Sequence, residues 1–350
     1  MPTITEAAVW NALRQVEEPD LKKDLVTLNM VRNLRIEGQR VTFTVVLTTP
    51  ACPLKDLIRN ACVQAVKLLV SADAQVEVEM TAEVTTSQPN AQASGLRNLV
   101  AVGSGKGGVG KSTVAANLAV ALARAGSRVG LLDADIYGPS VPLLFGLEGE
   151  RPLLREVQGR DCMVPFDRHG VQVMSIGFLV KPEQAVIMRG LLNDTAWDDL
   201  DYLILDLPPG TGDIHITIAQ QFPLAGALVV TTPQAVAVAD AHKALAMFTS
   251  PQINVPVLGV VENMAYFSPP DLPDRRYYLF GQGGGQQLAD RFGVPLLGQL
   301  PLVEAIRLSG DSGLPIALEG ESLLGQAYAD LAARVAQQVS IANARTAVRA

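Results

Sequence analysis

Gly105-Lys106-Gly107-Gly108-Val109-Gly110-Lys111-Ser112-Thr113 is the stretch on which the reading of the fold turns. It fits G-x-x-x-x-G-K-[ST], the pattern of a phosphate-binding loop. Leu99-Val100-Ala101-Val102, just upstream, has strand character, and Val114 to Ala125, just downstream, forms helix readily. Strand, glycine loop and helix in that order give the pattern physical meaning. Glycines let the backbone turn tightly, so successive N–H groups point at phosphate oxygens. The start of the following helix adds partial positive charge. Lys111 is placed to reach the β- and γ-phosphates of ATP, and the Ser112 hydroxyl to ligate Mg2+. A glycine-rich turn with a chance lysine is the plainer alternative. Loop, flanks and the carboxylates further on all weigh against it.

Working outward, apolar runs alternate with helix-forming stretches. Val129-Gly130-Leu131-Leu132 ends in Asp133-Ala134-Asp135, and Tyr202-Leu203-Ile204-Leu205 ends in Asp206. Strands are also expected at Val171 to Ser175, Leu228 to Thr231 and Val257 to Val261, with an edge strand at Leu296-Leu297. Continuous rather than alternating apolar runs suit a parallel sheet covered on both faces. Ligands then bind beyond the strands' C-terminal ends, where these motifs fall. Asp206 reads as the aspartate that holds magnesium through water. Leu207-Pro208-Pro209-Gly210-Thr211-Gly212-Asp213 follows it as a defined but re-orientable loop, suited to sensing a γ-phosphate. Asp213 also reads as a helix cap. His215 reads as packing or surface.

Residues 1–85 read as a small α/β domain. Helices are expected over Ile4 to Val16 and from Pro53 to about Val70. Strands are expected at Met30 to Ile36, Val41 to Leu47 and around Val76 to Met80. Val41, Phe43, Val45 and Leu47 recur with period two. Cys52 precedes the second helix, whose positive end is expected to lower its thiol pKa; the alternative is a small buried hydrophobe. Cys62, mid-helix, reads as core. Ten residues of helix advance about 15 Å and turn roughly 280°, so Cys52 and Cys62 cannot ligate one cluster within a continuous helix. Residues 86–95, TSQPNAQASG, have the composition of a linker, and 96–350 form the large domain. The expected architecture is α/β: a P-loop NTPase with a mostly parallel, doubly wound sheet, preceded by a small α/β domain.

Composition narrows the function. A net charge of −7 argues against a general hold on nucleic acid. No apolar run reaches the ~18 residues of a membrane span, so no stable membrane association is expected. MPTITEAAVW carries acid rather than a basic signal region, which points to the cytoplasm. Three cysteines with no C-x-x-C pair fit reduced thiols.

Lys106, a second lysine after the first glycine, is similar to the deviant phosphate loop of MinD-type ATPases, whose extra lysine reaches across a homodimer to the partner's nucleotide. D-A-D-I-Y-G-P-S at 133–140 and D-L-P-P-G-T-G-D at 206–213 resemble the switch segments of the Mrp/ApbC-type iron–sulfur cluster carrier ATPases. Met188-Arg189-Gly190, Glu262-Asn263-Met264 and Phe280 to Gly285 are similar too. L-T-T-P-A-C-P-L at 47–54 resembles the metal–sulfur cluster biosynthesis domain that precedes the ATPase in that family. The resemblance implies a cytoplasmic homodimer that carries clusters from scaffold proteins to apo iron–sulfur clients, with slow ATP hydrolysis as a conformational switch. It assigns Lys106, Lys111 and Asp135 to catalysis, Asp135 orienting the water. Gly105 to Thr113 cradle the nucleotide, Asn263 reads the adenine, and Ser112 and Asp206 hold magnesium. The chain departs from the family after Asn263. The usual C-x-x-C is replaced by Ala265-Tyr266-Phe267-Ser268-Pro269-Pro270-Asp271-Leu272-Pro273. Asp271 or Asp274 would substitute poorly, carboxylate being the harder ligand. Cys52, paired across a dimer or with a client's cysteines, is the remaining candidate ligand, with Cys162 a distant second. The alternative is a positioning or partition ATPase of MinD/ParA type. Its one sequence feature is the Ala-rich C-terminal helix with Arg334, Arg345 and Arg349, for which core packing is the plainer reading.

Overall fold

The computed structural model describes residues 4–86, 95–157, 159–179, 186–269, 271–272 and 275–349. The linker expected at 86–95 lies outside these residues except at its two ends, as does Asp274. The side chains of Met188, Arg189 and Asp213 are outside them too.

The first domain opens with α1 (Glu6–Leu13), whose N-terminus is capped by the Thr5 hydroxyl accepting from Ala8 N. Two short antiparallel strands follow, β1 (Glu17–Glu18) and β2 (Lys23–Asp24). Strands β3 (Val31–Glu37) and β4 (Arg40–Leu47) form a hairpin around Gly38. Helix α2 (Lys55–Leu69) then crosses back to β5 (Gln75–Ala82), parallel to β4. Val41, Phe43 and Val45 meet Leu13 of α1 and Ile58, Cys62 and Val66 of α2 in one core. The opposite face carries ion pairs such as Arg40–Glu77. Both helices are shorter than expected. Pro53 lies in the turn before α2, and Leu54 is its N-cap.

The second domain begins with β6 (Leu99–Ser104), α3 (Lys111–Arg124) and β7 (Val129–Asp133). A short α4 (Val141–Leu144) leads to the hairpin β8 (Leu154–Val157) and β9 (Arg160–Met163), and on to β10 (Phe166–Arg168) and β11 (Val171–Ser175). Then come α5 (Val186–Asn193), β12 (Tyr202–Asp206), α6 (Asp213–Gln221), β13 (Leu224–Thr231) and α7 (Ala235–Thr249). The chain ends with β14 (Val257–Glu262), α8 (Gly284–Phe292), β15 (Leu296–Gln299), α9 (Glu304–Asp311) and α10 (Leu323–Arg349). Among the described residues, eight strands form the central sheet in the order β10-β11-β7-β12-β6-β13-β14-β15. All neighbours are parallel except β10 and β11. Every residue of β6, β7 and β12 is buried, which is why these runs are continuously apolar up to their polar last residues instead of alternating.

Helix α3 lies along β6, β7 and β12, and its small residues Ala115, Ala116 and Ala119, all fully buried, allow a close approach. Helix α10 packs on α3 and on β13 to β15, burying Tyr328, Leu331, Val335 and Val339. Its Arg334 donates to the Leu297 carbonyl at 3.0 Å. The Ala-rich C-terminal helix is thus a core element with Arg334 engaged at the sheet edge, while Arg345 is exposed. Among the described residues, no helix is long and apolar enough to cross a membrane.

The small domain docks where the strands of the large sheet begin. The hydroxyl of Tyr202, the first residue of β12, donates to Thr49 Oγ1 at 3.1 Å, and both residues are buried. Asn98, just before β6 and fully buried, donates to the carbonyls of Thr85 and Asp201. Asn343 of α10 donates to the same Thr85 carbonyl and to Asn98 Oδ1. Gln337 of α10 donates to both carboxylate oxygens of Asp20. Ala51 and Val84 join the large domain's core. The strand ends that carry the sequence motifs are at the other side of the sheet.

Candidate functional site

The glycine loop runs from the end of β6 to the first residue of α3. Gly110 has φ +80°, and a Cβ there would strike the Asn263 amide. A Cβ on Gly105 would run into the backbone of Asp240 and Ala241 in α7. These two glycines are required by close approach as well as by turning. Asn263 is buried, and its Nδ2 donates to the Val109 carbonyl at 2.9 Å. The residue expected to read adenine therefore also braces the phosphate loop. Glu262 beside it accepts from Gly285 N at 2.7 Å and from Gln299 Nε2 at 2.6 Å. That explains the Phe280 to Gly285 stretch. Its glycines bring the N-terminus of α8 onto a buried carboxylate, and a Cβ on Gly285 would meet that side chain.

Lys111 is buried, and its Nζ donates to Asp206 Oδ1 at 2.6 Å and to Ser112 Oγ at 3.0 Å. Asp206 is fully buried, and its Oδ2 has no hydrogen-bond partner. Burial pushes the Asp206 carboxyl up, against the downward pull of Lys111 and the Ser112 hydroxyl. A buried, unpartnered carboxylate oxygen beside a serine hydroxyl is a hard-oxygen donor pair, and it fits magnesium.

Asp133, on the neighbouring strand end, is held above the usual carboxylate range by burial and then by the Asp206 charge. Its oxygens accept from Asp135 N at 3.0 Å, Val141 N at 3.2 Å and Ser175 Oγ at 2.9 Å. Asp133 thereby gathers both ends of the 134–140 loop. Asp135 Oδ1 accepts from the backbone of Tyr137 and Gly138, each at 3.3 Å. With Lys106, Gly107, Ser112, Ser140 and Pro209, Asp135 lines a cleft of about 220 Å³ above the loop. Pro209 belongs to the loop after β12, which is pinned to the phosphate loop by Gly210 N donating to the Ser104 carbonyl at 2.9 Å.

The fold thus brings together Gly105 to Thr113, Asp135, Asp206 and Asn263. It does not bring Cys52 to them. Cys52 follows the Thr49 contact at the far side of the sheet. Ser175 was not anticipated, and of the two readings of His215, packing or surface, the structure has packing. Ser175 was legible only as a strand ending in a polar residue, and its link to Asp133 needs the β7–β11 register.

The structure reverses one expectation about Cys52. Its thiol is pushed up, chiefly by burial, which outweighs the Leu54 N–H, with the charges of Glu18 and Asp20 adding to the rise against Lys55. Because α2 starts only at Lys55, Cys52 does not cap it. A raised pKa means less thiolate at a given pH. Cys52 is therefore expected to react with iodoacetamide at pH 8 more slowly than free cysteine, read by mass spectrometry. Faster reaction would contradict this placement. Cys62 is fully buried and pushed up to about 12, and Cys162 is buried in β9. Among the described residues, no group of three or more His, Cys, Asp or Glu side chains is arranged to hold a metal ion.

Comparison with known proteins covers both domains. The family described as NUBPL iron-transfer P-loop NTPase matches residues 95–336, and the family described as iron–sulfur cluster assembly protein matches residues 6–80. The iron–sulfur cluster carrier protein of Synechocystis sp. is 49% identical over 352 aligned positions, 97% of this chain and 99% of its own length. A solved nucleotide-binding protein from Archaeoglobus fulgidus, in complex with ADP, is 44% identical with a TM-score of 0.56, over 62% of this chain and 86% of its own. The cell division ATPase MinD of Pyrococcus furiosus, at 24% identity and a TM-score of 0.50 over 68% of this chain and 98% of its own, shares the fold.

Proposed function

This chain belongs to the iron-transfer P-loop NTPase family, and on that premise we propose that it carries iron–sulfur clusters to apoproteins, with ATP binding and slow hydrolysis as its switch. One observation carries the reading: a complete phosphate cradle in a domain onto which a second domain with a half-exposed thiol is docked. The reaction is phosphoryl transfer to water. The bond from the γ-phosphorus to the bridging oxygen breaks, ADP leaves, and a water oxygen takes its place. The loop amides, Lys111 and Ser112 position the phosphates, and Ser112 and Asp206 are the residues that hold magnesium. That ion, when bound, neutralises phosphate charge. Asp135, fixed by two backbone N–H groups, orients the water. Lys106, half-exposed at the rim, serves the nucleotide of a second copy apposed on this face.

That arrangement changes where a cluster can be held. Two copies meeting at the nucleotide face leave their two Cys52 residues at opposite outer ends, because the Cys52 loop packs where the strands begin. A four-iron cluster wants about four thiolates. Cys52 supplies one, and the scaffold or client protein supplies the rest. The test is anaerobic reconstitution with iron, sulfide and a small dithiol, comparing the full chain with Cys52→Ala. The expected result is cluster on the wild type and at least a fivefold loss on the variant. Equal iron and sulfide on both would place the ligands elsewhere.

A further inference from the structure

His215, two residues into α6, is 3% exposed, a packed rather than a surface position. Its Nε2 lies 2.8 Å from the Pro208 carbonyl, and its backbone N–H donates to the Gly212 carbonyl at 3.0 Å. A carbonyl only accepts, so Nε2 carries the proton and Nδ1 is a bare acceptor. Nδ1 is buried without a partner among the described residues. Burial holds the imidazole below its ordinary value, against the upward pull of the Pro208 and Gly212 carbonyls, and the Pro208 bond sets the tautomer of the neutral ring. The 2.8 Å Pro208 contact, with the Gly212 carbonyl acting more weakly on the ring, fixes this side chain.

That contact closes the arc Pro208 to Gly212. Two of its five residues are prolines without an N–H, so few backbone groups are free to anchor it. On one side Gly210 N ties it to Ser104, the residue before the glycine loop. On the other side the His215 ring ties it to α6. Pro209, between the two anchors, lines the phosphate cleft. We propose that His215 is a positioning residue for ATP hydrolysis, its Nε2–H latching the Pro208–Gly212 arc so that Pro209 and the end of β12 meet the phosphates in register. This rests on the ATPase reading above.

The test uses the full chain and three variants. Gln places an amide N–H where imidazole Nε2–H stands. Phe keeps the bulk of the ring but donates nothing. Asn donates but is too short to reach. A latch predicts that His215→Phe and His215→Asn lose roughly tenfold in kcat with KM for ATP within about twofold, as expected for one hydrogen bond acting after substrate binding. His215→Gln stays within about threefold of wild type on the same scale. A packing role predicts the reverse order, with Phe tolerated and Gln poor, and that order would overturn the latch. Thermal melting checks folding, and Asn replaces Phe in the comparison if Phe melts early. The two readings fail differently. A wild type with no hydrolysis above a Lys111→Ala background overturns the ATPase reading together with the latch. A wild type that hydrolyses ATP alongside an equally active Phe variant overturns the latch alone.

Discussion

Lys111→Ala is expected to reduce ATP hydrolysis to background and weaken nucleotide binding at least 100-fold. In the proposed function the ammonium is the charged partner of phosphate oxygens, and charge-assisted hydrogen bonds are worth about 1.5–3 kcal/mol each. The same substitution acts on the fold. Asp206 loses a 2.6 Å ion pair at a site with no access to water. Breaking a buried pair typically costs about 3–5 kcal/mol because the remaining charge is stranded. Here the carboxyl can shed its charge, since burial already holds its pKa above the ordinary value of 3.8 and Lys111 was the main influence lowering it. The sign follows. Below pH ~4 the carboxyl is protonated folded or unfolded, and the variant loses little. As pH rises, the unfolded chain releases the proton while the folded chain keeps it, so stability falls until the folded pKa is passed. The gap in melting temperature between wild type and variant should widen from pH 5 to 8. A constant gap, or ATP binding at wild-type affinity, would contradict the assignment.

Asn98→Ala has the largest expected effect away from the nucleotide. The side chain gives hydrogen bonds to Thr85 O at 2.9 Å and Asp201 O at 3.1 Å, and receives one from Asn343 at 2.9 Å. Each lost bond between neutral buried groups removes about 1 kcal/mol, and each partner left dry adds more, so a loss of about 2–4 kcal/mol is expected. Thr85 belongs to the first domain's exit, Asp201 to the start of β12 and Asn343 to α10. The loss therefore falls on the junction, and the two domains keep their own cores. Calorimetry should show one cooperative transition in the wild type and an earlier, separate transition for the small domain in the variant. A single transition at the wild-type temperature would show that the junction carries no stability.

Much of this arrangement was legible because it depends on local patterns. The glycine loop, the apolar strands β6, β7 and β12, and the carboxylates ending β7 and β12 each announce themselves within about ten residues. The β8–β9 hairpin and the antiparallel β10 did not. Leu154 to Arg168 mixes charged and apolar residues without a clear period, so nothing in their pattern marks these strands although they pair with their immediate neighbours in two tight hairpins. The site had a different limit. Asp133 meeting Ser175 and Asn263 bracing Val109 are contacts across 42 and 154 positions, set by sheet order. Cys52 was misjudged for a different reason. The expected helix start was two residues too early, and the acids Glu18 and Asp20 approach it only in the folded chain.

Cluster hand-over under nucleotide control is tested by anaerobic transfer from the reconstituted full chain to an apo-ferredoxin, followed by the client's visible absorbance, with and without ATP, beside Lys111→Ala. The expected result is transfer from the wild type at a rate that ATP changes severalfold, and from Lys111→Ala at a rate indifferent to ATP. A wild type that leaves the client without cluster in either condition would overturn the carrier function.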